Sequence, residues 1–146
     1  MRTTIWASIV VTALSSGAVA QQYTCQLTPT TGYKGVTPTQ MTLDFAPLPG
    51  QILIVDDVGP KIGRPSVVGN INRYVNQDIL FNWQISGVPI SLKPPTETSF
   101  YGGTVNYSGR LNQLTGALRI IGNFDARVSS ANTGLNMRAK GVCEAS

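Results

Sequence analysis

Hydrophobic and polar residues alternate with a period of two along most of the chain. Gly, Pro, Asn and Thr break the alternation, and no long 3.6-residue repeat follows the first twenty residues. The pattern predicts an all-β fold. The clearest strand is 79–86, where Ile79, Phe81, Trp83 and Ile85 share one face and Leu80, Asn82, Gln84 and Ser86 the other. At the far end Leu135, Met137, Ala139, Gly141 and Cys143 alternate with Asn136, Arg138, Lys140 and Val142. Near the start Tyr23, Cys25 and Leu27 alternate with Thr24, Gln26 and Thr28.

The same test finds Met41, Leu43 and Phe45 on one face, and Phe124, Ala126 and Val128 on another. Residues 51–56, 66–74, 100–108 and 117–121 complete about eight or nine candidate strands. Turns are marked by Leu48-Pro49-Gly50, Val58-Gly59-Pro60 and the run from Asn112 to Gly116, and long loops are expected at 28–39 and 87–98. Closely spaced antiparallel strands predict a small β-barrel or β-sandwich. Pairing the first and last strands would leave no open edge, which favours the barrel.

Residues 1–20 read as an export signal: Arg2, an apolar run from Ile5 to Leu14, and Ala18-Val19-Ala20 before the expected cleavage site. The run falls short of the roughly 20 residues a membrane-spanning helix needs. A single exported domain from Gln21 to Ser146 is expected, in the periplasm or outside the cell. No transmembrane segment is expected in it. Cys25 and Cys143 both belong to that domain and both fall in the inward register, so a disulfide between the terminal strands is expected. An outer-membrane barrel does not fit, because the alternating non-core residues are Thr, Asn, Gln, Arg and Lys.

Composition narrows the chemistry. The chain has no His, which excludes Ser-His-Asp triads, Cys-His pairs and imidazole-ligated metals. GxSxG, SxxK, P-loop and dinucleotide motifs are absent, as is a calcium loop, so no cofactor or metal is expected. Carboxylates are limited to Asp44, Asp56, Asp57, Asp78, Glu97, Asp125 and Glu144. Asp56 and Asp57 converge only if the chain turns at Val58-Gly59-Pro60, since neighbours in a strand point to opposite faces. Asn106-Tyr107-Ser108 is a glycosylation sequon, meaningful only in a eukaryote.

Charge is unevenly distributed. Residues 21–99 balance, whereas 100–146 carry Arg110, Arg119, Arg127, Arg138 and Lys140 against Asp125 and Glu144. Arg119, Arg127, Arg138 and Lys140 are the candidate anion-binding face, for an envelope polymer, a lipid head group or an acidic protein. The competing explanation is solubility and protection of strand edges. Tyr33 and Lys34 are candidate contacts in the first long loop. Nucleic acid is not expected, because the aromatics fall in the core register, and Phe81, Trp83, Phe100 and Phe124 predict a filled interior.

The Tyr23-Thr24-Cys25 opening, the late Cys143 and the small exported β-fold resemble the periplasmic C-type lysozyme inhibitors over a few residues at each end. The family's central Ser-Gly-x-x-Tyr loop is not reproduced, since Ser108-Gly109 runs on into Arg110-Leu111-Asn112. A net charge of +4 also suits a cationic lysozyme poorly. The sequence therefore points to a noncatalytic, exported binding or envelope-associated protein. A secreted inhibitor of a cell-wall hydrolase and a carboxylate-only hydrolase are the alternatives.

Overall fold

A computed structural model of the chain describes residues 22–31, 37–46, 48–91, 100–124 and 137–146. Residues 1–20, read above as an export signal, and Tyr33, Lys34 and Arg127 lie outside these residues. Eight strands run in chain order: β1 (Gln22–Thr31), β2 (Gln40–Asp44), β3 (Gln51–Asp56), β4 (Val67–Val75), β5 (Asp78–Ser91), β6 (Phe100–Asn112), β7 (Ala117–Phe124) and β8 (Met137–Ala145). Each pairs antiparallel with its neighbours in sequence, and β8 returns to pair with β1. The fold is a closed barrel, which abolishes the sheet edge.

The alternating pattern becomes the inside and outside of this wall. Tyr23, Cys25 and Leu27 of β1, Met41 and Leu43 of β2, and Ile52 and Ile54 of β3 are buried. So are Ile79, Phe81, Trp83 and Ile85 of β5, Val105, Tyr107 and Leu111 of β6, and Leu118 and Ile120 of β7. Outward positions carry Thr24, Gln26, Gln40, Asn82, Gln84, Asn106, Ser108 and Arg119, and with them the exposed apolar side chains of Val55, Val68, Tyr74, Val75, Ile121 and Val142. No helix among the described residues is long and apolar enough to cross a membrane.

Aromatic rings fill the interior. Tyr23 meets Phe45 edge-on at 5.9 Å, and Phe45 meets Phe81 edge-on at 6.4 Å. Phe81 stacks on Trp83 at 5.7 Å, and Trp83 on Tyr107 at 4.8 Å. Such offset stacks add about 0.5–1.5 kcal/mol per pair beyond area burial. They fit because inward positions beside them carry glycine. A Cβ on Gly109 of β6 would lie 2.3 Å from the Phe81 ring, and one on Gly122 of β7 would lie 3.1 Å from Tyr107. Alternating small and large residues is how a narrow barrel is filled.

Strands run further than the polarity pattern indicated. The first expected loop begins inside β1, which continues through Thr28, Pro29 and Thr30 to Thr31 past a bulge against β8. The second begins inside β5, where Gly87 adopts φ 83° and the register shifts between Ser86 and Val88 before pairing resumes with β6. Gly accepts that left-handed conformation without a Cβ penalty, so this glycine bends the strand instead of ending it. Residues 117–121 and Phe124, read as parts of two strands, belong to the single strand β7; Ala126 and Val128 lie outside the described residues.

Cys25 and Cys143 face each other in the β1–β8 register and form the disulfide. The bond spans 118 residues of sequence, a loop for which chain entropy alone gives up to about 4.7 kcal/mol. Reducing it is expected to lower the thermal midpoint, read by circular dichroism with and without reductant. Gly109→Ala is expected to cost about 1–3 kcal/mol by overpacking, read as a fall in thermal midpoint with loss of near-ultraviolet aromatic signal.

Candidate anion-binding face

Site geometry begins with strand register. Arg110 of β6 is the cross-strand partner of Arg119 on β7, and Arg119 is the partner of Lys140 on β8. Their chain neighbours Gly109, Leu111, Leu118, Ile120 and Ala139 are buried, so pleating puts all three cations on the outer wall. Arg138 lies one pleat along β8, opposite Ile121 and diagonal to Arg119. Lys140 faces Thr28 of β1 on its other side. Three adjacent strands thus present a row of cations that crosses them.

A polar hairpin end anchors this row. Asn112 closes β6 by accepting the Leu114 and Thr115 N–H groups on Oδ1, at 3.1 and 2.9 Å. Its Nδ2 donates to Asp78 Oδ1 at 2.8 Å. Asp78 Oδ2 accepts Arg110 Nε at 2.7 Å, and the guanidinium terminus closes a second bond to the same oxygen. The Arg110 and Asn112 donors hold the Asp78 carboxyl below the usual carboxylate range. A hollow of about 280 Å³ opens here, bounded by Asp78, Arg110, Asn112, Thr115, Ala117 and Arg119.

Of the four cations only Arg110 has an acid within ion-pair distance among the described residues. Arg119 therefore sits between a neutralised Arg110 and an uncompensated Lys140. Like charges directly opposite on paired strands are destabilising. Sequence reasoning put Arg138 and Lys140 in the non-core register and grouped Arg119 with them by charge; all three are exposed, whereas Arg127, the fourth of that group, lies outside the described residues. It missed Arg110 as the end of the row. The signal was there in principle, since Arg110 alternates with the inward Gly109 and Leu111, but register between strands is invisible in one sequence.

A second polar group lies beyond β3. Asp56 closes that strand with its side chain inside the barrel, and Oδ1 accepts the Val58 and Gly59 N–H groups at 3.0 and 2.7 Å. Oδ2 is buried with no hydrogen-bond partner among the described residues. Burial pushes its pKa up, against the two backbone bonds and with a contribution from the Asp57 charge. At Asp57 burial also opposes the charge, but it is outweighed by the Thr39 hydroxyl at 2.5 Å and the Thr39 and Gln40 N–H groups at 2.9 and 3.4 Å. Its pKa is lowered. The chain does turn after Asp57, into a 3₁₀ segment at Gly59–Ile62, yet each carboxyl is taken up by separate neighbours.

Inside the barrel, burial raises the Tyr107 phenol pKa, with Asp56 and Asp57 adding to the effect. Ser108 and Gly109 lie within β6, the glycine beneath the Phe81 ring, not in a projecting loop. Among the described residues, no group of three His, Cys, Asp or Glu side chains could hold a metal ion. No family model, curated protein or solved structure matches the chain.

The two neighbouring acids should give pH dependences of opposite sign. Asp56, with its folded pKa raised, contributes stability that is present at low pH and lost as pH rises through that value. Asp57, with its folded pKa lowered, contributes stability that is present above the ordinary carboxylate range and lost as pH falls. Relative to the parent protein, Asp56→Asn is therefore expected to gain thermal stability as pH rises from acid to neutral. Asp57→Asn is expected to lose it over the same range, by about 1–2 kcal/mol at neutral pH after allowing for its partial exposure. Thermal unfolding of both variants across that range measures the two slopes.

Proposed function

We propose that the protein is a noncatalytic binding protein that acts in an oxidising compartment and holds an anionic partner against the outer wall of β6, β7 and β8. The observation that carries this reading is the in-register row Arg110–Arg119–Lys140. Outward Lys and Arg commonly guard a sheet edge against other chains, but this barrel has no edge to guard. Solubility would be served equally well by dispersed charges, without setting like charges opposite one another. An anionic partner relieves the Arg119–Lys140 repulsion and gains from both of those charges at once, beside an Arg110 already paired with Asp78.

Two further features support the reading. The carboxyls of Asp56, Asp57 and Asp78 are engaged by backbone and side-chain donors, which favours structural roles for them over a pair of acids working on a substrate. The disulfide favours an oxidising compartment and accords with an export signal ending at Ala20. Nucleic acid is disfavoured because Tyr23, Phe81, Trp83 and Tyr107 are buried inside the barrel and no aromatic ring stands on the described outward positions of β6, β7 or β8.

Arg119→Gln tests the reading on two axes. Binding to immobilised dextran sulfate is expected to weaken by about tenfold, or 1.4 kcal/mol, and the parent's binding is expected to fall from low to physiological salt. The unliganded variant is expected to be as stable as the parent or slightly more so, because a like-charge contact has gone. Unchanged binding would return the row to a solubility role.

A further inference from the structure

An anionic partner can be flat, compact or flexible, and the shape of the wall discriminates among them. Eight strands share one full turn about the axis, so each is rotated by roughly 45° from the next. Outward residues on β6 and β8 therefore diverge by roughly a right angle. A flat membrane meets such a wall along one line and reaches one strand's cations well. A chain that bends around the wall meets Arg110, Arg119 and Lys140 in succession, at steps of roughly 5 Å.

Chemistry beside the row narrows the partner further. Beside the exposed apolar Ile121 and Val142, the row is flanked by hydroxyls and amides: Asn112 and Thr115 in the hollow, Thr28 across from Lys140, and Asn123 further along β7. These match a backbone rich in hydroxyl groups. No aromatic side chain stands on the described outward positions of β6, β7 or β8, so the stacking platforms that hold single-stranded nucleic acid are missing from this wall. Asp78 contributes by orienting the Arg110 guanidinium through two bonds to one oxygen.

We propose that the partner is a flexible acidic polysaccharide that crosses the strands from the Arg110–Arg119 hollow over Lys140 toward Thr28. This rests on the anionic-partner reading of the same face and adds its class. Repeated charges on one chain make the second and third contacts intramolecular, so affinity must grow with length until the row is spanned.

The test is calorimetric titration of the oxidised full chain with galacturonic acid, its trimer and its hexamer, beside phosphatidylglycerol vesicles and oligothymidylate. Affinity is expected to rise by about tenfold or more from monomer to hexamer and to exceed that for vesicles and oligothymidylate. Arg119→Gln and Lys140→Gln should each remove most of the gain with length, and Arg119→Lys should restore part of it. Equal affinity for monomer and hexamer, or tighter binding to vesicles or oligothymidylate, would overturn the polysaccharide while leaving an anion-binding face. Absence of binding to every anion would overturn both readings. Circular dichroism of each variant identifies loss of binding through misfolding, and the outward position of both side chains makes that loss separable.

Discussion

Closure of the sheet is the constraint on which everything else depends. Seven hairpin pairings make a curved sheet with two bare edges; the eighth, between β1 and β8, removes both. The Cys25–Cys143 bond lies within that last ladder, so the covalent link reinforces the pairing with the greatest sequence separation and the greatest entropic cost of formation. Once the wall is closed, inside and outside are distinct for every residue, and a one-residue slip in any strand would turn its whole apolar set to solvent.

Closure also sets the packing problem that the interior solves. Five aromatic rings, from β1, β5, β6 and Phe45 just past the end of β2, sit in edge-on and stacked contact, and they can do so because glycines on β6 and β7 leave space against the wall. The cost is visible at two atoms, Trp83 Nε1 and Asp56 Oδ2, which are buried without a partner among the described residues. Buried polar atoms of this kind oppose stability, and dense aromatic contact offsets them. The described interior is thus committed to structure, which is why the proposed binding face lies on the outer wall.

Much of this was legible from alternation alone. The inward faces of 23–27, 41–45 and 79–85 follow directly from period two, because a half-buried strand cannot hide its pattern. The Cys25–Cys143 partnership followed from both residues falling in the inward register near the ends of the domain. What alternation cannot encode is which residues oppose each other on different strands. Arg110 was one charge among several until its register with Arg119 and Lys140 was known. Likewise, Gly87 looks like a loop glycine in print and is a bend within β5. A positive φ and continued pairing on both sides are properties of three dimensions.

The ladder between β1 and β8 has one more consequence. Ser146 donates its backbone N–H to the Gln22 carbonyl at 2.9 Å, so the two ends of the described domain stand side by side on one rim. Strand order around the wall is therefore cyclic, and the place where the chain starts is an accident of connectivity, not a feature of the architecture. Joining the ends across that rim and cutting instead at the exposed Asn76-Gln77 turn would keep every pair of neighbouring strands. What the barrel requires is the ring of pairings, and it is indifferent to which of them the chain crosses first.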